Sequence, residues 1–79
     1  MPVTYKVHIL EDNSRYIQVD SLIQEGIEYI LLAQETNPSN ICFRKIINES
    51  IFQYYGRLTT KEFNEIFIKF QEKNKNLFA

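Results

Sequence analysis

LIQEGIEYILLAQETNPSNICFRKII, residues 22–47, holds two apolar segments separated by a polar loop. The first follows Glu25-Gly26, a turn signal, and continues as Ile27-Glu28-Tyr29-Ile30-Leu31-Leu32-Ala33. The second is Ile41-Cys42-Phe43-Arg44-Lys45-Ile46-Ile47. Short runs rich in Ile, Tyr and Phe, bounded by Gly, Asn, Pro and Ser, are strand signals. The loop from Glu35 to Asn40 is polar and contains Pro38, so it connects strands rather than continuing one. The stretch predicts a long central hairpin. Its first strand is apolar on both faces, with Tyr29, Leu31 and Ala33 on one and Ile30 and Leu32 on the other. A strand of that kind sits inside a sheet with something packed over it.

Upstream, Val3, Tyr5, Val7 and Ile9 alternate with Thr4, Lys6 and His8, and Ile17 and Val19 alternate with Tyr16, Gln18 and Asp20. Period-two alternation predicts two strands, joined by a turn at Glu11-Asp12-Asn13-Ser14. Downstream, Ile51-Phe52-Gln53-Tyr54-Tyr55 reads as a further short strand after a turn at Asn48-Glu49-Ser50, with a short helix as the alternative. Thr59 and Glu62 form a capping box. Phe63, Ile66, Phe67 and Phe70 follow at helical spacing as one apolar stripe, and Glu65 stands four residues before Lys69, in ion-pair order. Ile68 falls off the stripe, exposed or touching a partner. The tail from Asn74 to Asn76 frays the helix end, and Leu77 and Phe78 fold back or lie free. Strands followed by a helix indicate an α+β fold. The reading is an antiparallel meander of four to five strands, with one C-terminal amphipathic helix packed on one face.

The chain is 79 residues long and reads as a single domain spanning all of it. So short a chain buries only about 60% of the surface it exposes when unfolded. Six Phe and five Tyr are its means of filling a core. Nine basic residues against ten acidic ones leave no basic excess of the kind that marks a nucleic-acid binder. A single cysteine, Cys42, excludes an internal disulfide and suits a reducing, cytoplasmic setting. No apolar run approaches the ~18 residues of a membrane span, and the N-terminus lacks the apolar core of a signal peptide.

Catalysis needs groups that can meet, and the sequence offers one His and one Cys. His8 falls on the polar side of its strand and reads as solvated. Cys42 reads as a small buried apolar residue without a feature to lower its pKa. One His and one Cys cannot build a structural zinc site, no acidic spacing resembles a calcium loop, and two glycines cannot cradle a phosphate. The expectation is therefore no enzyme, no metal, no cofactor and no small-molecule substrate. The remaining patch is Arg44, Lys45 and Arg57 near Tyr54 and Tyr55. Basic residues interleaved with aromatics can stack single-stranded bases. The same residues can equally pack and solvate a sheet edge, where Lys and Arg discourage aggregation.

The order of these features resembles the YrzB-like family of small bacterial proteins, a domain of unknown function. The likeness runs from about Tyr5 to Lys73. It rests on Glu25-Gly26-Ile27-Glu28-Tyr29-Ile30-Leu31-Leu32 and on the acidic-aromatic step Glu62-Phe63 that opens the last helix. Members of that family are strongly acidic where this chain is balanced, and the family has no established catalytic residues to carry over. The resemblance implies a cytoplasmic bacterial protein of the α+β kind. The functional expectation is a non-catalytic interaction module or homo-oligomer, whose contact candidates are Arg44, Lys45, Tyr54, Tyr55, Arg57 and Ile68. A nucleic-acid-binding accessory protein and a phage- or plasmid-type inhibitor of a host protein are the alternatives. No membrane partner is expected.

Overall fold

The computed structural model describes residues 6–75. The expectations for Val3 and Tyr5 and for Asn76, Leu77 and Phe78 lie outside these residues. Five strands follow in order: β1 (Val7–Ile9), β2 (Arg15–Gln24), β3 (Ile27–Gln34), β4 (Ile41–Glu49) and β5 (Phe52–Gly56). The helix α1 (Thr60–Lys73) ends the fold. Each strand pairs antiparallel with its neighbour in sequence, so the sheet is a simple meander, as expected. The β5 segment is a strand and not a helix.

Two turns pin the register. Glu25 and Gly26 both have positive φ, at 52° and 78°, and sit between the paired residues Gln24 and Ile27. Two positive φ values in a two-residue loop are the pattern of a type I′ turn, whose twist matches that of the strands it joins. The second hairpin turns at Ser50 (φ 55°) and Ile51, between the paired residues Glu49 and Phe52. Asn48 and Glu49, expected in the turn, instead lengthen β4. At Gly56 an added Cβ would come within 2.5 Å of Ile47 Cδ1, so the Ile47 side chain lies across this glycine.

The helix covers one face of the sheet. Its stripe delivers Ile66 and Phe70, both fully buried, onto Tyr29, Leu31 and Phe43. Phe43 meets Phe63, Phe67 and Phe70 with ring centroids 5.4–6.0 Å apart. Burying aromatics of this size is the largest apolar contribution available to so short a chain. The cap forms as the sequence implies: Glu62 N–H donates to Thr59 Oγ1 at 3.1 Å, and Thr59 N–H to Glu62 Oε1 at 2.8 Å. Glu65 and Lys69 do not hold each other. Both reach Gln24, Glu65 accepting from its Nε2 and Lys69 donating to its Oε1. A side chain on β2 thereby ties the helix to the sheet.

The opposite face has no helix, yet Ile30 and Leu32 are as buried as their helix-facing neighbours. The sheet curls on itself to achieve this. Leu10, Tyr16, Ile30 and Leu32 form a second core, with Cys42 and Ile46 packed against it. The two outer strands of the sheet meet across this concave side: the ring of His8 in β1 stands edge-on to that of Tyr55 in β5, with centroids 5.4 Å apart.

Candidate interaction surface

Strand alternation distributes the candidate residues. Residues paired across strands share a face, which places Lys45 and Tyr54 on the helix side, with Tyr29 and Ile47. Arg44 and Tyr55 fall on the concave side, with Ile30 and Ile46. The structure therefore splits the expected aromatic–basic patch between the two faces of the sheet.

Each cation is also engaged. Lys45 Nζ donates to both oxygens of Glu62, at 2.9 and 3.1 Å. Tyr29 donates its hydroxyl to the same carboxylate at 2.8 Å. The Thr59 backbone N–H and the Lys45 ammonium hold the Glu62 carboxyl down at a pKa of about 2. Desolvation and that carboxylate push the Tyr29 phenol up to about 12. Arg44 Nη2 and Arg57 Nη2 both donate to a single oxygen of Glu11, at 2.8 and 3.0 Å. The Glu11 backbone amide and the Arg44 guanidinium hold that carboxyl below the ordinary range.

His8 is not the solvated residue that its place in the alternation implied. It faces the concave side, where Nδ1 lies 2.7 Å from the Tyr55 hydroxyl and Nε2 lies 2.9 Å from Gln18 Oε1. With Gln18 accepting from Nε2–H, Nδ1 accepts from the phenol. This ring is a clasp between the outermost strands. Cys42 is half-buried against the second core, and burial pushes its thiol pKa up, away from nucleophilic use. Among the described residues no group of three or more His, Cys, Asp or Glu could hold a metal ion. Among them, too, no helix is long and apolar enough to cross a membrane.

Apolar side chains stand exposed as well. The tip of the β4–β5 hairpin presents Ile51 at 88% and Phe52 at 69% exposure, followed by a half-exposed Tyr54. Ile68 stands exposed on the helix, off the buried stripe of Ile66 and Phe70. In the sequence Ile51 and Phe52 are marked only as strand formers. The signal for more is that residues 51–56, IFQYYG, carry no charge.

Comparison with known proteins finds no matching family model, no matching curated protein and no matching solved structure. The likeness to the YrzB-like family rests on its quoted motifs alone.

Proposed function

We propose that the protein is a non-catalytic interaction module, cytoplasmic and bacterial as its resemblance and lone thiol imply, that self-associates through its β4–β5 hairpin. The carrying observation is an outermost strand with none of the usual protections. Sheet edges are blunted by charge, proline, a bulge or shortness. β1 is three residues long. β5 spans five, pairs with β4 without a register break, and carries neither charge nor proline. Its side chains add the apolar area that a small domain gains by pairing with a copy of itself. The split of Lys45 and Tyr54 from Arg44 and Tyr55, together with the carboxylates on each cation, favours protein over nucleic acid as the partner.

Light scattering over a concentration series tests this reading. The expected result is a mass that rises from monomer toward dimer. Phe52→Lys, which places a charge on the exposed tip, returns the mass to monomer while circular dichroism stays unchanged. A monomer at every concentration overturns the reading. Salt-sensitive binding of single-stranded RNA by that monomer supports the nucleic-acid alternative instead.

A further inference from the structure

β4 is open along one stretch of its outer side. β5 covers it only from Lys45 to Glu49. Beyond Gly56 the chain leaves the sheet through Arg57 and Leu58 toward the helix cap at Thr59. From Ile41 to Arg44, β4 therefore has a strand partner, β3, on one side alone.

The pairing pattern shows which backbone groups face the open side. Gln34 N–H donates to the Asn40 carbonyl at 3.0 Å, which makes that pair a hydrogen-bonded one. Bonded and non-bonded pairs alternate along an antiparallel ladder. With the β3–β4 register unbroken, Leu32–Cys42 and Ile30–Arg44 are the bonded pairs, and Ile41 and Phe43 turn their backbone groups outward. The Phe43 carbonyl agrees: it accepts from Arg44 Nη1 at 2.9 Å instead of from β3. The outward N–H groups of Ile41 and Phe43 have no hydrogen-bond partner among the described residues.

These donors border a groove of about 470 Å³ whose walls are Leu58, Phe63 and Phe67 and whose mouth carries Arg44 and Arg57. Phe63 is only partly covered, at 39% exposure. The two guanidiniums share the single carboxylate of Glu11, and the Arg57 side chain is 79% exposed, which leaves surplus positive charge at the mouth. Donors spaced two residues apart along a strand are satisfied by the carbonyls of an added strand, and the side chain beside them enters whatever pocket adjoins.

We propose that this groove binds an extended peptide segment that adds to the edge of β4 at Ile41–Phe43. It places a large apolar side chain between Leu58 and Phe63 and an acidic side chain on Arg57. The site is separate from the β4–β5 hairpin and does not require self-association.

The test is an amide NMR titration of the full chain with a short, end-blocked peptide of alternating Glu and Val around a central Phe. The control is the same peptide with Lys for Glu. The expected result is saturable shifts centred on Ile41 and Phe43, with slowed exchange of those two amides, for the acidic peptide only. Arg57→Glu weakens that binding about tenfold or more, and Phe52→Lys leaves it unchanged. Absence of shifts at Ile41 and Phe43 at millimolar peptide overturns the proposal. So does equal binding of the Lys peptide. Protection of both amides that grows with protein concentration alone overturns it too, because the occupant is then a second copy. Light scattering on the same samples reads self-association separately.

Discussion

The two faces of β3 are equally buried and are sealed in different ways. On one face Tyr29 and Leu31 lie under α1, which arrives as a separate element carrying Ile66 and Phe70. On the other, Ile30 and Leu32 are enclosed by the sheet's own curl, closed over Leu10 and Tyr16 and clasped by His8 and Tyr55. The first seal is mainly apolar packing, with polar networks at its rim, among them Tyr29, Glu62 and Lys45 at one place and Gln24, Glu65 and Lys69 at another. The second depends on side chains spanning the gap between the first and last strands. A sheet can thus bury both sides of its central strand with one helix, provided that it bends enough to act as its own second layer.

The largest effect belongs to the helix-covered face. Phe70→Ala removes a fully buried ring that touches Phe43 and is expected to cost about 3–5 kcal/mol, most of the stability of so small a domain. Urea unfolding measures it. A cost near that of an exposed substitution would mean that the helix is not what seals this face. Leu32→Ala makes the matching cut on the concave face, where about 2–4 kcal/mol is expected. If Leu32→Ala costs almost nothing while Phe70→Ala is severe, the curled face collapses around the void and only one core is rigid.

These two residues were not equally legible in the sequence. Phe70 announced itself through helical spacing with Phe63, Ile66 and Phe67, and Thr59 and Glu62 marked the start of the helix. Leu32 was readable as buried, but not by what. Curl is a property of the whole sheet, and no local period encodes the meeting of residues 47 positions apart, such as His8 and Tyr55. The same limit hid the site. Alternation could have separated Arg44 from Lys45, since neighbours on a strand point oppositely. The departure of the chain after Gly56, which opens the edge of β4, depends on where Leu58 packs against the helix-side core.

Acid probes the polar rim of the helix side. The Glu62 pKa falls from an ordinary 4.5 to about 2 on folding, so the folded state prefers the carboxylate. A depressed carboxylate stabilises above its unfolded pKa, and that stability is lost as pH drops from 4.5 toward 2; about 2 kcal/mol is expected. Tyr29 is the mirror case. Its raised pKa stabilises the fold below pH 10, and this is lost as pH rises from 10 toward 12. Thermal midpoints against pH in the wild type and in Glu62→Gln separate the carboxylate's share. An acid limb unchanged by Glu62→Gln would place the sensitivity elsewhere.

Tyr55→Phe probes the clasp of the concave side. It keeps the ring beside His8 and deletes the hydroxyl 2.7 Å from Nδ1. The partly exposed setting limits the expected cost to about 0.5–1 kcal/mol. The sharper readout is local: amides of β1 should exchange faster while those of α1 keep their protection. Equal loosening of both would show that the two seals open as one unit.

The smallest effect tests the feature on which both faces depend. A slip of one residue between β2 and β3 would send Tyr29 and Leu31 to the concave side and Ile30 and Leu32 under the helix, so the turn at Glu25-Gly26 holds the two cores apart. Glu25 takes φ 52°, a left-handed backbone that costs glutamate more than asparagine, whose short amide side chain hydrogen-bonds to the local backbone. Glu25→Asn supplies the Asn-Gly pair that this turn type favours and should raise stability by about 0.5 kcal/mol, read as a small rise in thermal midpoint. Because the turn serves both faces, amide shifts under the helix and in the concave core should stay as they are. A fall in midpoint would show that the Glu25 side chain makes a contact worth more than the strain of its backbone, and would move the source of register from the turn to the side chains that the two faces bury.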